Sequence, residues 1–323
     1  MKPPEVSIVV GAYNCGEFIQ ATVCSVIDQT FKNWELIVVD DCSTDDTYEK
    51  VKDMQDGRIR IIRRDSNSGL PAVARNEGIK TAKGKFIAFL DHDDIWFSEK
   101  LSVQLRYLEK NTDIGLASCS LRTISPDRRY NNRLVTADKS GHPDYIYDKL
   151  LRSNFIACSS VVVRASVLRD IGFFDETPEM VTVEDWDLWL RIARKRKVVF
   201  IPEVLGLYRR HSVNLSSDVE RLQKALYVID KHLEKDWITQ RQADGAKANF
   251  YICEGWKFID KDIKLARSLL SETLHFKKYG TRIFFAGFSG MLLSAFPPLC
   301  RFIKNRSLDR KLKGAINFWK PDK

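Results

Sequence analysis

The chain has 323 residues, 44% hydrophobic and 29% charged, with a net charge of +9. That length exceeds one undivided core and that apolar content excludes wholesale disorder, so a catalytic domain with an appendage is expected. Seven scattered cysteines (Cys15, Cys24, Cys42, Cys119, Cys158, Cys253, Cys300) form no CxxC pair and no Cys/His cluster; this excludes a structural zinc site and suits a reducing cytosol.

The first apolar run, Val6–Val10, is too short for the core of a signal peptide, and no export is expected. It opens a βαβ rhythm. The pattern predicts a helix over Glu17–Gln29, a strand over Trp34–Val39, a helix over Thr44–Met54 capped by Ser43, and a strand over Arg58–Arg63. A helix over Pro71–Ala82, a strand over Lys85–Leu90 and a helix over Ile95–Leu108 follow. Continuous apolar strands imply a parallel sheet covered on both faces. Beyond residue 110 the pattern predicts a polar loop over Ser125–Ser140, a strand over Ile156–Val163 and a helix over Glu184–Lys195, then helices from Asp218 to about Lys278.

Two acidic clusters fall just past strand ends, where open α/β sheets bind ligands. Asp91-His92-Asp93-Asp94 places three carboxylates within four positions. Such crowding is either a cation site for Mg²⁺ or Mn²⁺ with a diphosphate, or a solvated turn in which Asp94 caps the next helix. Asp40-Asp41-Cys42-Ser43-Thr44-Asp45 either offers a carboxylate to a base or ribose, or simply caps a helix. Glu184-Asp185 likewise either carries a catalytic acid or opens a helix whose Trp186, Leu188, Trp189 and Ile192 face the core. Trp186 and Trp189 are candidates for stacking on a sugar, with core packing as the alternative.

Taken in order, Val6-Ser7-Ile8-Val9-Val10 through Tyr13-Asn14, Asp40 to Asp45, Asn67-Ser68-Gly69 with Ala74-Arg75-Asn76-Glu77-Gly78, and Phe89-Leu90-Asp91-His92-Asp93-Asp94 resemble the family 2 glycosyltransferases. Gly172-Phe173-Phe174-Asp175-Glu176, Glu184 to Arg191 and Tyr208-Arg209-Arg210-His211 extend the resemblance, which covers about residues 5 to 216. It implies a GT-A fold, a Rossmann-like, mostly parallel sheet flanked by helices, with a helical C-terminal extension. It divides the chain into a catalytic domain, 1–216, and a helical region, 217–323; within the first, 1–110 bind the nucleotide-sugar and 111–216 the acceptor. Carried over residue by residue, Ala12, Tyr13 and Asp40 line a nucleobase pocket and Arg75 reaches the base or phosphates. Asp91 meets the ribose, Asp93 with Asp91 holds Mn²⁺ or Mg²⁺, and Asp185 is the catalytic base. Glu184, Trp186 and His211 fall on the acceptor side. Gly11 departs from the family's frequent proline there, which loosens the loop without removing a reactive group.

The charge is localised. The eleven Lys and Arg from Lys277 onward, against Asp309 and Asp322, account for the whole net charge. They flank the uncharged run Ile283–Cys300, which carries Pro297-Pro298 and falls short of a full membrane span. Basic borders around an apolar face suit a helix lying in an anionic leaflet rather than nucleic acid; packing on the enzyme or a homo-oligomer contact is the alternative. The expected activity is inverting transfer of one sugar from a nucleotide diphosphate donor, a UDP-sugar first, to a surface-polysaccharide or lipid-linked oligosaccharide acceptor. The expected location is the cytoplasmic face of the cell membrane. A silent nucleotide- or glycan-binding module and a nucleotidyltransferase are the alternatives; the latter wants a glycine-rich phosphate loop after the first strand, which Gly11-Ala12-Tyr13-Asn14 is not.

Overall fold

A computed structural model describes residues 3–124, 130–135, 142–210, 218–258 and 262–279. The chain divides into two compact units, residues 1–150 with 154–215, and residues 151–153 with 216–323.

In the first unit the apolar runs become β1 (Val6–Ala12), β2 (Trp34–Asp40), β3 (Ile59–Arg63) and β4 (Phe86–Phe89), linked by α1 (Ile19–Ile27), α2 (Thr47–Lys52) and α3 (Pro71–Thr81). β5 (Ile95–Trp96), α4 (Lys100–Lys110), β6 (Ile114–Ile124), β7 (Tyr130–Val135), α5 (Tyr147–Leu151), β8 (Val161–Arg164), α6 (Ala165–Ile171), α7 (Glu184–Lys195) and β9 (Lys197–Arg209) follow. The described strands form one sheet in the order β3-β2-β1-β4-β8-β6-β9-β5, with β7 on β6. Strands β3 to β4 are parallel, as are β6 and β9, whereas β8, β5 and β7 run antiparallel to their neighbours.

Alternation places successive side chains of a strand on opposite faces. Leu36 and Val38 join Ile8, Val10, Ile19 and Val23 in the main core, while Ile37 and Val39 pack with Ala74 of α3 on the other face. Both faces are therefore covered, and each buried aliphatic side chain contributes about 1.5–3 kcal/mol. Gly78 lets α3 lie directly on β1: a Cβ there would stand 2.5 Å from Val9 Cγ1.

Four local expectations are corrected. Ile95–Trp96 is a short strand paired with Gly206–Leu207, and the helix starts only at Lys100, because Asp94 bonds to the backbone of β9 instead of capping. Ser43 does not cap α2, which starts at Thr47; its hydroxyl turns back to Asp40. Within the expected strand Ile156–Val163, Cys158–Ser160 make a 3-10 turn before β8, and β7 lies inside the expected Ser125–Ser140 loop.

The second unit contains α8 (Asp218–Glu234), α9 (Gln240–Phe258), α10 (Ile263–Glu272) and a 3-10 turn, Thr273–Tyr279. Gly255 of α9 accommodates Leu270 of α10, and Lys247 of α9 pairs with Asp230 of α8. Among the described residues no helix is long and apolar enough to cross a membrane; the run Ile283–Cys300 and its basic border from Arg282 onward lie outside them.

Candidate active site

The parallel register aligns Ala12 with Asp40 at the carboxyl ends of β1 and β2. The loops that follow are stapled together. Asn14 and Cys42 adopt left-handed backbone, φ +45° and +62°, which turns both loops sharply. The Asn14 N–H donates to Ser43 Oγ at 3.0 Å, and the Thr44 N–H donates to Asn14 Oδ1 at 2.8 Å. This leaves Tyr13 44% exposed beside the strand ends, an aromatic face available for stacking. Asp40 is buried; Oδ1 accepts from the Ser43 N–H and hydroxyl, while Oδ2 has no hydrogen-bond partner and stands 3.6 Å from Arg63 Nε. A buried carboxylate oxygen left unmatched suits an N–H or O–H arriving with a ligand. Asp41 turns away from this side and braces the loop before α3, accepting from Ser68 Oγ at 2.7 Å and pairing with Arg64.

The acidic loop follows β4. Asp91 Oδ1 accepts from Arg75 Nη2 at 2.7 Å, and His92 Nδ1 lies 3.1 Å from the Gly11 carbonyl, tying this loop to the end of β1. Asp94 is buried and its carboxyl accepts from the Arg209 N–H at 2.8 Å. Burial, with the negative charges of Asp93 and Asp91 beside it, holds that carboxyl well above the ordinary range.

Arg75, on α3, joins the two halves of the site. Its other terminal nitrogen, Nη1, donates to Glu184 Oε1 at 2.6 Å, so one guanidinium spans carboxylates 93 positions apart, Asp91 and Glu184. Its neighbour Asn76 holds the loop before α7, donating to the Phe174 carbonyl at 2.9 Å and to Glu176 at 2.7 Å, and accepting from the Phe174 N–H. From the opposite side Arg191, fixed by Asp187 at 2.8 Å, donates to the carbonyls of Ile171 and Phe173. The first turn of α7 gathers Glu184, Asp185 and Asp187, where negative charge suits the helix dipole.

Asp185 is half-buried at this helix start, with Oδ1 accepting from the Trp186 N–H at 2.6 Å and from Asn154 Nδ2 at 3.3 Å. Loss of solvent, then the charge of Glu184, push its carboxyl up to about 8, against the lowering pull of Arg75. A carboxylate poised near neutrality and opposite a donor-side acid cluster can exchange a proton with a hydroxyl.

The expected residues therefore separate. Ala12, Tyr13, Asp40, Arg75, Asp91, Asp93, Glu184 and Asp185 all fall at the strand ends or on the elements facing them. Glu184 is buried and paired with Arg75. Trp186 is 1% exposed and its indole N–H donates to the Leu150 carbonyl, so its ring is core and not a sugar platform; Trp189 is likewise core, tilted against Phe89 and Phe174. His211 lies outside the described residues. Asn14, Asn76 and Asn154 were not singled out in the sequence; the quoted motifs contain the first two, but only folding shows what they hold.

Among the described residues no group of three or more His, Cys, Asp or Glu side chains is preassembled around one point. Mg²⁺ and Mn²⁺ favour hard oxygen, and Mg²⁺ in particular is held by one or two carboxylates completed by phosphates and water. Asp91 and Asp93, half-buried at the mouth of the loop, fit that smaller requirement.

The family model described as Glycosyl transferase family 2 matches residues 7–172. The chain is 39% identical over 190 residues to the UDP-Glc:alpha-D-GlcNAc-diphosphoundecaprenol beta-1,3-glucosyltransferase WfaP of Escherichia coli, covering 59% of this chain and 70% of that one. To WfgD of the same organism and the same printed activity it is 35% identical over 215 residues, covering 66% and 80%. Its fold is similar to that of Staphylococcus aureus TarS in complex with UDP-GlcNAc, with TM-score 0.63, 17% identity, and 90% and 89% of the chains covered. It is also similar to the Pyrobaculum calidifontis mannosyltransferase PcManGT in complex with GDP-Man and Mn2+, with TM-score 0.59, 17% identity, and 95% and 88% covered.

Proposed function

As the chain belongs to the family 2 glycosyltransferases, we propose that it transfers one sugar, with inversion, from a UDP-sugar to a hydroxyl of a lipid-linked oligosaccharide or surface polysaccharide. The observation that carries this reading is the Arg75 bridge, which brings the donor-side Asp91 and the helix start bearing Asp185 to one guanidinium. The relatives WfaP and WfgD carry UDP-Glc and a diphosphoundecaprenol acceptor in their names, which supports the donor and acceptor classes.

In the proposed reaction Tyr13 stacks on the base and Asp40 Oδ2 accepts its N–H. Arg75 faces the diphosphate and stabilises the charge that develops there, a contribution on the order of 3 kcal/mol for one preorganised group. Asp91 and Asp93 would hold a divalent cation, which would supply positive charge against that of the diphosphate. Asp185, ionised, takes the proton of the acceptor hydroxyl as its oxygen bonds to the anomeric carbon and the carbon–oxygen bond to phosphate breaks, worth on the order of 10²–10⁴ in rate. The nucleoside diphosphate leaves from the opposite face, so the centre inverts. The tail from Lys277 onward places the enzyme on an anionic cytoplasmic leaflet, where each basic residue near the surface adds about 1 kcal/mol.

Calorimetric titration with UDP-, GDP- and dTDP-sugars, in Mn²⁺ and then in EDTA, tests the donor half. Metal-dependent binding of a UDP-sugar is expected. Binding of none, or of another nucleotide alone, overturns the donor assignment, and release of pyrophosphate on turnover in place of a nucleoside diphosphate overturns the reaction class.

A further inference from the structure

The backbone that presents Asp91 and Asp93 is held by side chains from three other elements. Ser159, fully buried in the turn before β8, accepts the Asp91 N–H on its Oγ at 3.0 Å, and its carbonyl is fixed by the Trp96 indole N–H at 2.8 Å. Arg209, the last residue of β9, is 8% exposed; its Nε donates to the Asp93 carbonyl and its N–H to the Asp94 carboxyl, both at 2.8 Å. The Arg209 guanidinium lies over the Phe18 ring, 4.9 Å from its centroid, so its plane is set by packing. Thr22 of α1 completes the arrangement, with Oγ1 2.9 Å from the carbonyls of His92 and of Asp94. The Asp93 carbonyl thus accepts from the Arg209 guanidinium, the carbonyls of His92 and Asp94 share the single proton of the Thr22 hydroxyl, and the turn itself closes through the Asp94 N–H to the Asp91 carbonyl at 3.1 Å.

We infer that Ser159 and Arg209 are positioning residues that aim the Asp91 and Asp93 carboxylates at a divalent cation and the donor diphosphate. This rests on the proposed role of those two acids. Neither residue carries a group into the reaction; each fixes a backbone atom whose displacement would swing a carboxylate away. Outer contacts of this kind commonly govern 10- to 100-fold in metal affinity, because a ligand held in place binds without first being ordered.

The test is a calorimetric titration of UDP into full-length protein at a series of fixed Mn²⁺ concentrations, from which the Mn²⁺ dependence is read, comparing the parent with Ser159→Ala and Arg209→Lys. A Mn²⁺ affinity lowered about 10-fold or more in each variant is expected, with full UDP binding recovered at high Mn²⁺. Recovery by metal is the readout that a general loss of packing would not produce. Should Arg209→Lys fail to fold, Ser159→Ala and the near-isosteric Thr22→Val decide, with thermal melting confirming the fold. Folded variants with the parent's Mn²⁺ dependence overturn the positioning role alone. A parent that binds UDP equally in EDTA overturns the metal reading and this inference with it.

Discussion

Replacing Arg75 with Met keeps an unbranched apolar stem while removing the guanidinium that lies over the Phe174 ring and the charge that two acids share. The guanidinium is 13% exposed, and it pairs at 2.7 Å with Asp91 and at 2.6 Å with Glu184, whose side chains are 26% and 6% exposed. Each pair is worth on the order of 4 kcal/mol at an effective dielectric near 20. Much of that is offset because an arginine no longer has to be desolvated, and removing one partner of a buried pair leaves a net loss of about 3–5 kcal/mol. Urea unfolding followed by tryptophan fluorescence should show a midpoint lower by roughly 1–2 M, given a slope of about 2–3 kcal/mol/M. Arg75→Lys retains the charge but not the fork, and should fall between the two. Arg75 also lowers the Asp185 carboxyl, so in the Met variant the pH at which transfer switches on should move upward. A Met variant with the parent's urea midpoint and pH profile would show that the bridge does not hold the two halves of the site together.

Asp185 must be ionised to accept a proton, and its carboxyl is raised to about 8; kcat/KM for the donor should therefore rise with pH and level off near that value, and a profile flat from pH 6 to 9 would contradict the assignment. Asp185→Asn should retain UDP-sugar binding by calorimetry while transfer falls by about 10²–10⁴. Asp93→Ala should weaken donor binding in Mn²⁺ toward the level measured in EDTA. Gly78→Ala places a Cβ 2.5 Å from Val9 Cγ1; the overpacking should cost about 1–3 kcal/mol in urea unfolding and reduce activity, since α3 carries Arg75 and Asn76. Removing residues 281–323 should release the protein from anionic vesicles in a sedimentation assay, and undiminished pelleting would refute the proposed leaflet contact.

The βαβ order and the buried strands of the first ninety residues were legible from the sequence because apolar runs and turn residues are local properties, fixed by side chains a few positions apart. The same holds for the acid clusters at strand ends, and the resemblance gave Asp185 a role that Glu184-Asp185 alone left open. What the tertiary structure decided were choices between a near partner and a distant one. Ser43 and Asp94 each had a helix start close by to cap, yet Ser43 turns to Asp40 and Asp94 takes the Arg209 N–H, 115 positions away, with Ile95–Trp96 drawn into the sheet beside β9. Trp186 had helical spacing compatible with either a sugar or the core, and burial against α5 settled it. Glu184 could not be given its partner from the sequence, since only packing of α3 against the start of α7 brings Arg75 to it. Periodicity encodes which face of an element is buried; which polar groups meet across that face depends on how the elements are stacked, and no local pattern carries that information.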